Sequence, residues 1–527
     1  MTSNMSDTPT PLESFIGYKA DTGMQCGNYS IDVPPLKEGE QYRFHFDATK
    51  CVGCRCCEVA CNEQNNNPAD IKWRRVGEME GGSFPDTLLL FNSMSCNHCV
   101  DPACLIGCPT NSYIKFDNGI VFHDDPSCIG CQYCTWNCPY GVPTYHEERH
   151  IVTKCHMCHE RLAVDQSPAC VQACPSGAIE IEAVNIQEWM EKDIDDLGNM
   201  PHLADARLTN STTRFTLPEN MPLEMLKADE HHLKPAHGEL PLVFMTVLTQ
   251  MSLGAFGALF IGDILSLFGF FKPNWMLALL ALIPAALGLP LSALHLGRPL
   301  KALNAMKNLK TSWLSREAAA LGAFAGLMSI NVALYFFDIS TVFRLGFELL
   351  TLLVGIYGIH AQAMIYRIPA RPSWDRFSTN QKFFTTAYSG LFLISLALII
   401  AGSSDSATPL LSSAMILAVI HGFFTLGGYN ELKSSPTPQL QKTLRLYREH
   451  FPVIHSLRWI MFSIGALVLP LLATLFIASD LTIPAIITLG IGFVLLVCSE
   501  LMDRFLFYTT TVPLQMAGGF FVGAQRN

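Results

Sequence analysis

Charge is scarce in this 527-residue sequence: only 15% of its residues are charged, against about 25% in ordinary soluble domains. Half of the residues are apolar, so a membrane portion is expected rather than a wholly soluble protein. The formal net charge of -10 argues against a nucleic-acid partner, because phosphate backbones bind basic surfaces. The first 40 residues lack a basic segment followed by an apolar one, so no secretory signal peptide is expected.

Cysteine is nearly absent from the second half of the sequence, and long apolar runs are absent from the first half. Eighteen of the 19 cysteines precede residue 175, and only Cys498 lies in the apolar half. The composition is therefore that of two proteins joined end to end. The predicted division is an N-terminal extension (1–40), a cysteine-rich domain (41–185), an acidic linker with one short helix (186–238) and a membrane part (239–527).

The membrane part contains eight apolar runs, each long enough to cross a bilayer, which takes about 20 helical residues. Short polar loops separate these runs, which favours membrane spans over the buried helices of a large soluble domain. The runs are Leu240–Phe271, Trp275–His295, Glu317–Phe337, Phe343–Tyr366, Phe383–Ser403, Leu410–Gly428, Leu457–Ser479 and Ile483–Leu501.

The positive charges between these runs predict an orientation. The loops after the second, fourth and sixth runs carry five, four and five Lys or Arg residues, whereas the four opposite loops offer only Lys272 and Arg344. Because basic short loops stay in the cytoplasm, the cysteine-rich domain is predicted on the cytoplasmic side of the bacterial inner membrane. One miscounted span would reverse this assignment.

The cysteines form four groups with regular spacing. They are Cys51, Cys54, Cys57 and Cys61; Cys96, Cys99, Cys104 and Cys108; Cys128, Cys131, Cys134 and Cys138; and Cys155, Cys158, Cys170 and Cys174. Three cysteines in a tight loop can bind three irons of one cubane, while the fourth reaches a partner cluster, as in two-cluster ferredoxins. Sixteen ligands at four per cluster predict four [4Fe–4S] clusters.

Two alternatives fit the spacing less well. Disulfides are rare in the reducing cytoplasm, and structural zinc prefers two separated cysteine pairs. Within the first group the spacing favours Cys57 over its neighbour Cys56 as the ligand. The sequence thus predicts an α+β ferredoxin-like domain with four cubane clusters, followed by an all-α bundle of eight transmembrane helices.

The runs KCVGCRCCEVAC, CNHCVDPACLIGCP, CIGCQYCTWNCPYGVP and KCHMCHERL make the cysteine domain resemble the four-cluster iron–sulfur subunit of DMSO-reductase-type molybdoenzymes. The resemblance implies four ligand sets that exchange their fourth cysteines. Set one is Cys51, Cys54, Cys57 and Cys174; set two is Cys155, Cys158, Cys170 and Cys61; set three is Cys96, Cys99, Cys104 and Cys138; set four is Cys128, Cys131, Cys134 and Cys108. Some relatives carry Trp at the position of Cys131 and hold three irons there, so four irons are expected here.

The membrane part resembles the eight-helix anchor subunit of the same enzymes, through LHLGRPLKALNAMKNLKTSWLSRE and SELMDRFLFY. The resemblance implies that His295 and Glu317 belong to a quinol site. We expect His295 to bind a quinone oxygen, Glu317 to pass protons to water, and Arg298 to order the site or touch the cluster domain. The alternative makes Arg298 a topology determinant and His295 an interfacial residue that binds nothing.

The implied function is a membrane-bound fusion of electron-transfer and anchor subunits within an oxidoreductase complex. Electrons would pass from menaquinol or ubiquinol through four [4Fe–4S] clusters to a separate molybdopterin catalytic subunit. That subunit would reduce DMSO, an N-oxide, nitrate or another small oxyanion. The alternative is the same module run in reverse, reducing quinone, and no haem is expected. The best-known anchors of this family place their N-terminus on the periplasmic side, next to an exported catalytic subunit, so a periplasmic cluster domain is the alternative topology.

Overall fold

A computed structural model describes residues 35–222, 224–268 and 273–515. The predicted N-terminal extension (1–40) lies almost wholly outside the described residues, as do Lys272 and the end of the first predicted apolar run. Two bodies follow one another in sequence: a small α+β domain that holds the cysteine groups, and a bundle of long helices. The predicted fold class is confirmed.

Four small β-sheets build the cysteine domain. Strand β1 (Glu40–Asp47) pairs antiparallel with β8 (Ile179–Asn185) and parallel with β9 (Arg214–Thr216). The hairpin of β2 (Arg75–Ser83) and β3 (Asp86–Met94) pairs with β10 (Met225–Lys227). Two further hairpins are β4 (Tyr113–Lys115) with β5 (Val121–His123), and β6 (Thr144–His146) with β7 (Ile151–Thr153).

Alternation along the strands sets the core of this domain. Phe44 and Phe46 in β1 are buried, as are Ile179 and Ile181 in β8, which pair with them across the sheet. Side chains at alternate strand positions share one face, so these four residues fill a common apolar layer. That layer supports the cysteine loops from one side.

Each cysteine group begins with a tight loop, and short helices follow within the groups. The second residue between the first two cysteines has a left-handed backbone in all four groups: Gly53, His98, Gly130 and Met157. A left-handed residue reverses the loop over two residues, which brings neighbouring cysteines onto the same side. The helices are Cys56–Asn65, Ala103–Gly107, Tyr133–Asn137, His159–Leu162 and Ala169–Gln172.

The segment 186–238, predicted as a linker, is instead folded onto the cysteine domain. It contributes β9 and β10 to two different sheets, and it buries Trp189 and Phe215. The predicted short helix is present, and its helical turns continue from Ile186 to Leu197. The two strands are three residues long, too short for an alternating pattern to be recognised in the sequence.

The eight predicted spans are confirmed as eight long apolar helices. In sequence order they are Leu240–Ser266, Trp275–Leu294, Trp313–Phe336, Thr341–Tyr366, Phe377–Ile400, Ser404–Ser434, Pro452–Ala478 and Thr482–Thr509. The first span lies at the centre of the bundle, since 83% of its most apolar window is buried, against 28–56% in the others. The protein is therefore a multi-pass membrane protein.

Several charged side chains lie inside the bundle rather than in loops. Arg344, predicted in a loop, lies in the fourth span and is paired with Asp263 of the first span, 2.9 Å away. Glu500 accepts a hydrogen bond from Tyr388 (2.8 Å), and Arg504 donates to Gln250 (2.9 Å). A buried charge is costly without such partners, so these contacts tie the spans to one another.

Candidate functional site

The structure brings the sixteen expected ligands together in the four sets that the resemblance implied. Three of the sets each line a separate cavity: set one, set two and set three. In set four, Cys131 and Cys134 lie close to Cys108 and Cys128. Most of these side chains are buried, and no described cysteine is in a disulfide.

The surroundings of these sulfur atoms fit iron–sulfur clusters. Backbone N–H groups donate to the sulfur of Cys128 (3.4 Å), Cys155 (3.3 Å), Cys108 (3.3 Å) and Cys174 (3.2 Å). Such bonds stabilise thiolates, which are the ligand form of cysteine. Cys56 is exposed and does not line the set-one cavity, whereas its neighbour in the regular spacing does.

The buried cations beside the sets include Arg74 and Lys154, and sequence reasoning assigned a role to neither. The first is Arg74, which donates to Ser93 O (3.1 Å) and Ser95 Oγ (2.9 Å) between set one and set two. Burial opposes its charge, but nearby cysteines, Cys170 first, hold its pKa above its ordinary value. A buried cation at this place would offset the negative charge of clusters bound to thiolates.

The second cation is Lys154, next to set three. It donates to Cys155 O (2.8 Å) and Val121 O, and its ammonium lies 3.7 Å from Cys96 Sγ. His98 belongs to the loop between two set-three cysteines and also contacts set two, since its Nε2 lies 3.9 Å from Cys155 Sγ. Set two therefore lies between set one and set three, and Cys104 of set three packs in one hydrophobic cluster with Cys108 and Cys134 of set four.

Set four lies against the membrane part. We call residues 295–312, between the second and third spans, the docking loop. Arg298 Nη1 donates to the backbone oxygens of Asp125 (3.0 Å) and Cys128 (3.2 Å). Asn308 Nδ2 donates to Cys108 O (2.9 Å). The docking loop therefore holds the backbone at two of the set-four cysteines.

Two more residues of the docking loop donate to the same two segments of the cysteine domain. Ser312 Oγ donates to Gly107 O (2.8 Å), and Lys301 Nζ donates to Pro126 O (2.9 Å). These donors meet main-chain oxygens, so they recognise the shape of the cysteine loops rather than their side chains. A row of such bonds fixes the distance between set four and the bundle.

Two glycines allow the closest approach of the two bodies. The Gly297 N–H donates to Gly130 O (3.2 Å). A Cβ on Gly297 would lie 2.4 Å from His150 O and 2.7 Å from the Tyr145 hydroxyl. Gly130 has a φ of +69°, and a Cβ there would meet the same carbonyl at 2.5 Å. Neither position has room for a side chain.

His295 stands at this junction, with a partner on each ring nitrogen. Its Nδ1 lies 2.8 Å from Glu239 Oε2, and its Nε2 lies 3.2 Å from Cys131 O. With these two contacts, each ring nitrogen of His295 has a partner. Its ring centroid is 6.0 Å from that of Trp136, which lies in the helix Tyr133–Asn137 together with the set-four ligand Cys134. The structure thus joins His295 directly to the backbone of a set-four cysteine.

Glu239 was missed by sequence reasoning, because it lies in a polar segment far from its partner in the sequence. It is the residue before the first span, and only 8% of it is exposed. Burial raises the pKa of its carboxyl, but the hydrogen bond and charge of His295 lower it by more, so the net shift is downward. The carboxylate form is therefore stable at neutral pH.

Glu317 lies in the first turns of the third span, 4% exposed. Its Oε1 has no hydrogen-bond partner among the described residues, and its carboxyl faces the Gln362 amide. Tyr133, the neighbour of the set-four ligand Cys134, lies near Glu317 and donates to Ile365 O (3.0 Å). His295 and Glu317 therefore flank one short helix, Tyr133–Asn137.

Aromatic rings surround this helix on the membrane side. The Trp136 centroid lies 6.2 Å from that of Tyr366 and 6.4 Å from that of Tyr508. The hydroxyls of these two tyrosines are 2.5 Å apart. These rings pack on Trp136 and form an aromatic layer between this helix and the bundle.

A polar path leads from Glu317 into the bundle. Gln250 Nε2 donates to Gln362 Oε1 (2.7 Å), and Arg504 Nη2 donates to Gln250 Oε1 (2.9 Å). Each of these side chains is buried in an apolar span. A signal was available in the sequence, since polar residues within apolar runs mark function or buried pairs.

Comparison with known families finds one match in the membrane part and another in the cysteine domain. Residues 234–510 match the DMSO reductase anchor subunit (DmsC) family, and residues 87–184 match the 4Fe-4S dicluster domain family. The first match covers more than half of the sequence and contains all eight spans.

Known proteins resemble the cysteine domain. The sequence is 36% identical over 177 residues to the B subunit of the anaerobic dimethyl sulfoxide reductase of Escherichia coli (strain K12), covering 32% of this protein and 85% of that subunit. It is 37% identical over 155 residues to the corresponding subunit of Haemophilus influenzae, covering 28% and 76%. It is 39% identical over 174 residues to the nitrate-inducible formate dehydrogenase iron-sulfur subunit of Escherichia coli, covering 29% and 55%.

Proposed function

The protein belongs to the DMSO reductase anchor subunit family, fused to an iron–sulfur subunit of the same kind of complex, and on that premise we propose that it oxidises membrane quinol for a separate catalytic subunit. That partner would be a molybdopterin protein that reduces a small oxidised substrate such as DMSO, an N-oxide, nitrate or an oxyanion. The part played by the present protein is electron transfer and anchoring.

Four [4Fe–4S] clusters would be held by the four cysteine sets, with Cys131 as a ligand in set four. When bound, they would supply one-electron carriers in a row from the membrane to the partner. The protein's own contribution is the spacing of the sets, the buried cations beside them, and the donors to their sulfur atoms. Thr209 Oγ1, for example, donates to Cys99 Sγ (3.1 Å).

The observation that carries the proposal is the contact of His295 with the backbone of Cys131 (3.2 Å). A quinol oxygen would take the place of Cys131 O at His295 Nε2, so a bound quinol would lie next to set four. Quinol oxidation releases protons as well as electrons, so the site also needs a proton acceptor. Glu317, on the other side of the same helix, has a carboxyl oxygen without a partner among the described residues and can take that role.

The three predicted residues then have different tasks. His295 binds a quinol oxygen and is oriented for it by Glu239, 2.8 Å away. Glu317 accepts a proton and passes it to water on the side of the cysteine domain, while the Gln362 amide faces its carboxyl. Arg298 is a positioning residue: its guanidinium holds the loops of set four at a fixed distance from the site.

The loop charges favour the cytoplasm as the side on which the cysteine domain stands. Because the site lies on the same side of the bundle as the clusters, protons would be released on the side where the terminal reduction consumes them. The overall reaction would then be electroneutral.

The test is quinol-driven reduction of the clusters in the purified complex, followed by EPR. His295→Ala should abolish that reduction, while chemical reduction with dithionite still develops all the cluster signals. His450→Ala, an exposed histidine between the sixth and seventh spans, is the matched control and should behave as wild type. Normal quinol-driven reduction in His295→Ala would refute the proposed site.

A second direction of flow has an observation in its favour. Two of the named relatives belong to DMSO reductases, but another belongs to a formate dehydrogenase, in which the partner gives up electrons. The same module could therefore reduce quinone. Measuring whether the partner subunit reduces or oxidises its substrate, with quinol and quinone supplied in turn, separates the two directions.

A further inference from the structure

A second polar cavity opens in the membrane part, away from the four cysteine sets. It lies between the fifth, sixth, seventh and eighth spans. Its lining includes Arg376, Lys382, Thr443, Arg458 and Asp503. None of these residues has a part in the function proposed above.

Three residues that line this cavity each have a buried donor atom without a partner among the described residues. Thr443 Oγ1, Arg376 Nε and Arg458 Nε are buried and have no partner among the described residues. They come from three different segments, yet all three residues line the same cavity. A buried donor without a partner costs about 1–3 kcal/mol, so three at one place indicate that something else accepts from them.

The charge of the wall indicates what that acceptor is. Three cations line the cavity, and Asp503, paired with both Lys382 and Arg458, is the carboxylate that lines it with them. Arg376 is also held at the rim by Glu431, which is more than half exposed. An excess of positive charge with free N–H and O–H donors fits an anion with several oxygen atoms.

The position in the bundle narrows the class of anion. The lining residues belong to the span ends and loops on the side of the cysteine domain, and the ends of membrane spans are where lipid headgroups are expected. Phe377, Phe423 and Val453, on the same elements, are strongly exposed and apolar, as a surface along acyl chains would be. Basic pockets between spans are known binding sites for anionic headgroups.

We propose that this cavity binds a phosphate group, carried by an anionic phospholipid of the surrounding membrane. The Arg376 and Arg458 guanidinium groups and the Thr443 hydroxyl donate to the phosphate oxygens, and Lys382 balances their charge. The acyl chains follow the exposed apolar surface beside the cavity. The site clamps the four last spans together at the membrane surface, and it does not depend on the direction of electron flow.

The test uses the purified complex in detergent, with native mass spectrometry to count retained phospholipid and thermal melting to measure stabilisation. Thr443→Val removes a hydroxyl that no described protein group uses, so the fold should be unchanged while phospholipid affinity falls about tenfold. Arg376→Gln should weaken binding at least as much. Thr474→Val, whose hydroxyl donates to its own helix, is the control and should retain lipid as wild type does.

Three additions to the delipidated complex distinguish the sources of phosphate. Micelles with phosphatidylglycerol should raise the melting temperature of wild type and control, but not of Thr443→Val. The same shift with inorganic phosphate alone, without retained lipid, would overturn the lipid assignment in favour of the free anion. No difference between phosphatidylglycerol, inorganic phosphate and plain detergent, with equal lipid retention in all variants, would overturn the proposal altogether.

Discussion

Replacing Glu239 by Gln gives a sharp test of how His295 is held. Glu239 and His295 are both largely buried, with 10% and 8% of their side chains exposed, and their nearest atoms are 2.8 Å apart. The amide of Gln keeps the size of the carboxylate but loses the charge. A hydrogen bond to a charged group contributes about 1.5–3 kcal/mol. The interaction that orients His295 should therefore weaken by about that amount.

That loss translates into a rate. Since each 1.4 kcal/mol corresponds to about a factor of ten, Glu239→Gln should slow quinol-driven cluster reduction roughly 10- to 100-fold. The assay is rapid mixing of the oxidised complex with a soluble quinol, followed by freeze-quench EPR. The cluster signals after dithionite should be unchanged, because Glu239 is not a ligand. Glu191→Gln, on the exposed face of the helical segment 186–197, is the control.

A double-mutant cycle shows whether the effect passes through the contact. If Glu239 acts only by orienting His295, adding Glu239→Gln to His295→Gln should slow the reaction no further. Independent, additive losses would contradict that role. A Glu239→Gln rate equal to wild type would refute the reasoning altogether, since a buried contact of this length could not then matter for the site.

Three further predictions concern the docking loop and the cysteine sets. Gly297→Ala would place a methyl 2.4 Å from His150 O, so we expect a loss of about 1–3 kcal/mol in the stability of the junction, measured by thermal melting and protease sensitivity. Cys57→Ser should lower the iron content by one cluster, whereas Cys56→Ser should leave it unchanged, by chemical iron analysis. Thr209→Val removes a donor to a set-three sulfur, which should make the potential of one cluster more negative in an EPR redox titration.

Each of these has a contradicting result. Wild-type melting and protease resistance in Gly297→Ala would mean that the two bodies do not meet as closely as described. Loss of iron in Cys56→Ser with retention in Cys57→Ser would mean that Cys56, and not Cys57, is the ligand in set one. If no cluster potential changes in Thr209→Val, the hydroxyl of Thr209 has no influence on the set-three cluster.

The sequence was sufficient for features that repeat or that extend over many residues. Eight apolar runs predict eight spans, and four spaced cysteine groups predict the sets, because both patterns are local in the sequence. The ends of the spans were less well predicted. The eighth span continues to Thr509 rather than ending at Leu501, because Asp503 and Arg504 are buried against other spans and the hydropathy of their segment does not reflect their environment.

Contacts between distant segments could not be predicted from the sequence. The pairing of Glu239 with His295 depends on the packing of the first two spans, and the short strands β9 and β10 carry no periodicity. Lys154 lies beside a cysteine of its own group, yet its role depends on the approach of Cys96 from another group. Such residues have ordinary neighbours in sequence and acquire their partners only through the fold.

The most direct test of the account combines metal analysis with quinol-driven reduction in a complex purified gently from membranes. We predict about sixteen irons per copy of the protein, a copurifying molybdenum subunit, and full reduction of the cluster signals by quinol. A protein with fewer clusters, or with all clusters present but none reducible by quinol, would contradict the claim that His295 and the docking loop connect a quinol site to the four sets.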